Sequence, residues 1–326
     1  MLATIIRRTC LAVTALLILT AHAAAQGFPS RVIKIVNPYP AGGSVDVTAR
    51  ILAQKMSENM KAQVIVESRT GAGGNVGSDF VAKSEPDGYT LLYTAPGPLT
   101  VNQTLYHKGL PFNPERDFAP IGLFAISPIV LMVNPGVAAK NVAELVAFAK
   151  ANPGKLNFAS AGIGTTPHLS GELLKSLAKV NLQHVPYRGT GPAMQDLIAG
   201  HVQMMFDLLP TSLGHINAGK VRALANAGAS RPPSLPNLPT VAEQGVAGFA
   251  TSSWFGMVAP AKTPKAVVDR LAAEMKKAVE APEVSERLRK LGLQPGTAFG
   301  KDFAAFMQAE TVKWAKVIKE SGAKAE

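Results

Sequence analysis

Cysteine is almost absent. Cys10 is the only one in 326 residues, and it falls inside a short N-terminal leader. Once that leader is removed the chain has no disulfide, no thiolate to hold a metal and no cysteine nucleophile. The core must hold without covalent staples. Long apolar runs are missing as well. The stretch over residues 11–20 is shorter than the about 20 residues a membrane anchor needs, and it runs out into Ala23, Ala24 and Ala25. With Arg7 and Arg8 ahead of it, this segment reads as a signal peptide cleaved after Ala25, so the chain is expected to be exported. Cys10 lies too early in the apolar stretch to become a lipid-anchored cleavage-site cysteine. A basic stripe is the third absence. The formal charge is +11 from 33 basic and 22 acidic residues; without Arg7 and Arg8 it is 31 − 22, or +9. Lys276, Lys277, Arg287, Arg289 and Lys290 spread along polar helix faces, whereas a nucleic-acid binder gathers its basic residues on one face. The excess still draws anions weakly from a distance. No tandem repeat and no low-complexity segment is visible.

What is present is an alternation of strand and helix patterns, which predicts an α/β architecture with mostly parallel sheets. The mature chain of 301 residues (326 − 25) suffices for two domains. Residues 31–36 form an apolar run, 37–43 a turn, and 44–60 a helix carrying Val45, Ala49, Leu52 and Met56 on one face. Further strands are predicted at 63–67, 89–94, 156–160, 182–186, 203–206 and 221–225. Two segments look alike: an apolar run at 129–133 enters Asn134-Pro135 and a helix, and one at 254–258 enters Ala259-Pro260 and a helix. Two extended crossings suit a chain that leaves one lobe, builds a second and returns. The expected division is a signal peptide over 1–25, a discontinuous first lobe over 26–126 and 253–326, and an inserted second lobe over 127–252. Two consecutive domains on one linker are the alternative. The last 27 residues place Phe303, Phe306, Met307, Trp314, Val317 and Ile318 at helical spacing, which predicts a helix docked on the first lobe.

Three turns carry the chemistry. In PYPAGGS, residues 38–44, Gly42 and Gly43 let the backbone turn sharply with no Cβ in a ligand's way. Ser44 or Gly43 caps the following helix, so its free N–H groups and positive dipole end face out of the loop and favour an anion. Parallel sheets bind ligands just beyond their C-terminal strand ends, where this turn falls. GAGGNVG, residues 71–77, repeats the theme after the second strand, with Asn75 as an orienting side chain. It is not a dinucleotide fingerprint, since with Gly71 and Gly73 in register the third position is Val76. SAGIGTTPHLS, residues 160–170, offers Ser160, Thr165 and Thr166 at a helix start, with Thr166 as cap and Pro167 in the first turn.

Enzymatic patterns are lacking. Around Ser160 the chain reads FASAG, without the first glycine of a hydrolase elbow. His168 and Glu172 stand four apart on a predicted helix, but no third metal ligand is near in sequence. Asp46 in a first helical turn serves the dipole. Asp207, just after the 203–206 strand, either meets a ligand or holds a neighbouring turn.

Taken together, PYPAGGSVD with Arg50, GAGGN at 71–75, PDGYTL at 86–91, FASAG at 158–162, HVPYRG at 184–189 with GPAMQD at 191–196, and PTVAE at 239–243 resemble the Bug family. These are the TctC-like periplasmic receptors of tripartite tricarboxylate transporters, and the resemblance spans the mature chain. It implies a type II periplasmic-binding-protein fold, two lobes closing on a small carboxylate, delivery to membrane permease subunits, no cofactor and no catalysis, in a monomer. A receptor that reports to a sensor instead of a permease is the alternative. In the family the ligand carboxylate is held chiefly by backbone N–H groups and bridging waters. Carried over, this puts Tyr39, Ala41, Gly42, Gly43 and Asn75 at the carboxylate. Thr94 and Ala95 fall on a neighbouring wall, and Ser160, Thr165, Thr166, His168 and Asp207 at the distal end. The family's usual Lys after the tyrosine is Arg188 here, a departure that matters only if its side chain reaches the cleft.

Overall fold

The computed structural model describes residues 27–106 and 109–325; the expected signal peptide lies outside the described residues. Among the described residues eleven strands form two sheets. The first runs β11-β4-β10-β3-β1-β2, built from β1 (Ile33–Asn37), β2 (Val64–Ser68), β3 (Thr90–Thr94), β4 (Phe118–Ser127), β10 (Ser253–Pro260) and β11 (Gln294–Pro295). The second runs β7-β6-β8-β5-β9, from β5 (Ile129–Val133), β6 (Asn157–Ser160), β7 (Gln183–Pro186), β8 (Met204–Leu208) and β9 (Arg222–Asn226). The central strands are apolar on both faces because helices cover both sides; β5 and β10 are buried at every position.

The sheets are mixed, not mostly parallel. Parallel pairing joins β1 to β2 and β3, and β6 to β7 and β8, while β4, β5, β9, β10 and β11 pair antiparallel. The cause is the crossing itself. β4 runs toward the gap between the sheets, so its continuation past Pro128, β5, runs away from that gap and must oppose strands that point into it. β10 makes the same reversal on return. β4 was not expected as a strand: Pro120 and Gly122 interrupt its pattern, and Pro120 is tolerated because β11 pairs only with Ala125 and Ile126 at the far end.

Helix α1 (Ser44–Met60) follows β1, α2 (Asn75–Ala82) follows β2, and a short α3 (Asn102–Leu105) follows β3. In the second half, α4 (Val142–Ala151) follows β5, α5 (Thr166–Ala178) β6, α6 (Thr190–Ala199) β7 and α7 (Leu209–Asn217) β8; α8 (Lys265–Glu280) and α9 (Pro282–Lys290) follow β10. The final helix, α10 (Lys301–Ser321), does not dock on one lobe. Phe303, Phe306 and Met307 pack with Trp254 and Leu92 of the first sheet, and Trp314, Val317 and Ile318 pack with Phe158 of the second sheet and Leu169 and Leu173 of the α5 helix that covers it. Twenty-one residues at about 1.5 Å each reach across both. Between the two apolar patches, buried Glu310 accepts hydrogen bonds from Trp254 Nε1 and Trp314 Nε1, both at 3.1 Å.

Candidate functional site

The loop between β1 and α1 is pinned from both ends. The Tyr39 N–H donates to Asn37 Oδ1 at 3.0 Å. Gly42 sits at φ +79°, a conformation that favours glycine, and its N–H donates to Asp46 Oδ2 at 3.0 Å. Arg50 Nε donates to the same oxygen at 3.0 Å. Burial alone would raise the Asp46 carboxyl, but the bonds from Arg50 and Gly42 outweigh it and hold it below its ordinary range. Asp46 is thus held as an anion that ties loop to helix. Gly43, at φ −75°, is the N-cap of α1 and makes no side-chain cap, so the first-turn N–H groups stay open.

These groups face a cavity of about 420 Å³ between the two sheets. Four helices bring their first turns to it: α1 through Gly43, Ser44 and Val45, α5 through Thr165, Thr166 and Pro167, α6 through Gly189, Thr190 and Gly191, and α7 through Leu208 and Thr211. Met194, Ile198, Val45 and Leu208 make part of the lining apolar. Asp207 lies in the wall, fully buried. Burial pushes its carboxyl up to about 6, opposed by hydrogen bonds from Thr211 (2.7 Å), Ser212 (3.0 Å) and Thr190 (3.2 Å). Thr211 Oγ1 lies 3.2 Å from Ser44 Oγ across the gap. Asp207 therefore holds the neighbouring turn, and it does so from a position in the cavity wall.

Of the residues singled out from sequence, Tyr39, Ala41, Gly42, Gly43, Ala95, Thr165, Thr166 and Asp207 line this cavity. Four lie behind the lining. Asn75 is buried, its Oδ1 accepting from Asn102 Nδ2 at 2.6 Å. Thr94 is buried and donates to the Ala95 carbonyl at 3.3 Å. Ser160 Oγ is 2.7 Å from His184 Nε2, and Ala161 takes its place in the wall. His168 is buried with its ring 4.3 Å from that of His184. Likewise the turn at 71–74 faces an adjoining recess of about 440 Å³, which shares Tyr39, Pro40, Arg188 and Gly189 with the first cavity.

His168, Glu172 and His184 bring possible metal-ligand atoms within 4.8 Å. The arrangement suits an ion poorly. His184 Nε2 is already partnered by Ser160 Oγ at 2.7 Å, and Lys175 Nζ already sits 2.8 Å from Glu172 Oε2. Burial lowers His168 to about 3 and His184, half-buried beside it, to about 4, so both stay neutral near neutral pH.

Sequence reasoning missed Thr190, Thr211, Ser253 and the reach of Arg188, all in the lining. The signal was there for the first two: Gly189-Thr190-Gly191-Pro192 and Leu209-Pro210-Thr211 repeat the strand–turn–helix theme of the glycine loops. Ser253 Oγ is buried with no hydrogen-bond partner among the described residues; nothing in its local sequence distinguishes it.

A family model described as "Tripartite tricarboxylate transporter family receptor" matches residues 48–323. The chain belongs to this family of periplasmic solute-binding receptors, the TctC family, as its fold and interlobe cavity lead one to expect. It is 45% identical over 323 residues to the "UPF0065 protein in tcbD-tcbE intergenic region" of Pseudomonas sp. (strain P51), covering 98% of this chain and 96% of that one. Among solved structures it is similar to R. palustris Rpa4515 with adipate (TM-score 0.88, 35% identity, 91% of this chain and 99% of that one). It is likewise similar to MatC from Rhodopseudomonas palustris with bound malate (TM-score 0.85, 32% identity, 89% and 100%).

Proposed function

We propose that this protein captures a small organic carboxylate in the periplasm and delivers it to the membrane permease subunits of a tripartite tricarboxylate transporter. The observation that carries this reading is the convergence of four helix N-termini on one partly apolar cavity. The open first-turn N–H groups of α1 and the positive dipole ends of the four helices favour an anion, and the apolar lining accommodates its carbon frame. Similar proteins bound to adipate and malate support the same ligand class. The chain acts as a monomeric receptor exported by its cleaved N-terminal segment, binding without turnover. Its first lobe comprises residues 26–126 and 253–326, and its second 127–252.

A thermal-shift screen of organic acids, neutral amides and sugars tests this. A carboxylate present at 100 times its dissociation constant adds about 2.7 kcal/mol to stability and raises the melting temperature. A panel in which sugars or amides stabilise the protein and no acid does would refute the anion reading.

A further inference from the structure

The cavity's charged groups divide sharply. Asp207 is occupied by three side-chain hydroxyls. Arg188, the one permanent cation in the lining among the described residues, makes no ion pair or hydrogen bond within the described protein and is exposed. It lines both the 420 Å³ cavity and the adjoining recess, so it stands where the two meet. Its backbone is held on both sides. The Tyr187 N–H donates to the Ser160 carbonyl at 3.1 Å, and Tyr187 Oη donates to Asp196 Oδ2 at 2.6 Å. On the other side, Gly189 lies so close to Pro40 of the first lobe that a Cβ there would come within 3.1 Å of Pro40 Cγ. A guanidinium presents five N–H donors in a planar fork that matches a carboxylate bidentately.

Building on the carboxylate reading above, we propose that Arg188 is a specificity-determining residue that holds a second acidic group of the ligand at the junction of the two cavities. The receptor therefore prefers dicarboxylates to monocarboxylates of the same length. The first carboxylate takes the helix N-termini inside; the second, near the mouth, meets Arg188. A ligand with one acid group leaves the guanidinium to water.

Isothermal titration with straight-chain diacids of four to eight carbons and their matching monoacids, on wild type, Arg188→Gln and Arg188→Lys, tests the assignment. The wild type is expected to bind its best diacid about tenfold or more tighter than the matching monoacid, with Arg188→Gln cutting that ratio to about twofold or less. Arg188→Lys, keeping the charge without the fork, retains part of it. An unchanged ratio in Arg188→Gln, or equal binding of mono- and diacids by the wild type, overturns the role of Arg188 and leaves the carboxylate reading standing. Failure of both acid series to bind overturns the two together.

Discussion

Acid should destabilise this receptor well above the range in which its surface carboxylates titrate, and the loss traces to two histidines, offset in part by buried Asp207. Burial holds His168 at about 3 and His184 at about 4, against 6.5 for the free side chain. Both stay neutral in the folded chain while the unfolded chain takes up protons, so their contribution is intact above pH 6.5 and is lost as pH falls below it. At pH 5 each histidine has cost about 2 kcal/mol. Asp207 works in the opposite direction. With its carboxyl raised from 3.8 to about 6, the folded state binds a proton first as pH falls, which returns about 1.4 kcal/mol by pH 5. The net change from pH 8 to pH 5 is a loss of about 2.5 kcal/mol. The paired surface acids, Asp117, Glu243 and Glu286 among them, are held below their ordinary values, so their contributions vanish only at lower pH. Urea unfolding followed by circular dichroism at pH 8, 7, 6 and 5 measures the profile. His184→Gln should roughly halve the histidine loss, and Asp207→Asn, which cannot take the returning proton, should steepen it by about 1.4 kcal/mol. A wild-type profile flat over this interval, or a His184→Gln profile parallel to the wild type, would refute the reasoning.

Two further outcomes follow from the geometry. Gly43 is at φ −75° and a Cβ there would find only the Pro40 carbonyl, at 3.4 Å, so Gly43→Val should fold normally yet lose carboxylate affinity by crowding the start of α1; calorimetry showing wild-type affinity would remove that turn from the site. Glu310→Ala strands two buried indole N–H groups, at about 1–3 kcal/mol each, whereas Glu310→Gln keeps one acceptor; the denaturation midpoint should fall further for Ala than for Gln, and equal midpoints would show that the shared carboxylate contributes nothing.

The layout of strands and helices was legible because each apolar run is short and ends in a glycine or proline turn. Strand direction was not. Parallel pairing was read from the alternation of strand and helix; the two crossings were legible, but not that each one reverses the strand that follows it against its new neighbours. The turn at 38–44 was legible as a ligand-facing helix start because glycine, loop and cap coincide there. Asn75, Thr94, Ser160 and His168 carry the right chemistry at the right strand ends, but side-chain direction depends on tertiary partners: Asn102 turns Asn75 inward and His184 captures Ser160. In the same way, the stripe on α10 promised a docking helix without revealing that its two halves dock on different sheets.

The glycine turns serve two different ends, and the difference bears on how capture works. Gly42 and Gly43 open the start of α1 toward the cavity, with no atom closer than 3.4 Å to a Cβ at either position. Gly73 and Gly164 do something else. A Cβ at Gly73 would lie 2.7 Å from the Ile163 carbonyl oxygen, and one at Gly164 would lie 2.6 Å from Asn102 Oδ1. Each pair joins a segment of the first sheet's half to one of the second, so these glycines permit close approach of the two halves themselves. The Ser44–Thr211 contact spans the same gap and ends on Asp207. A ligand that touches α1 on one side and α5, α6 and α7 on the other meets its full set of partners only when these contacts are made. Its affinity is then tied to closure, because a ligand shifts such an equilibrium by no more than its differential binding to the closed and open states.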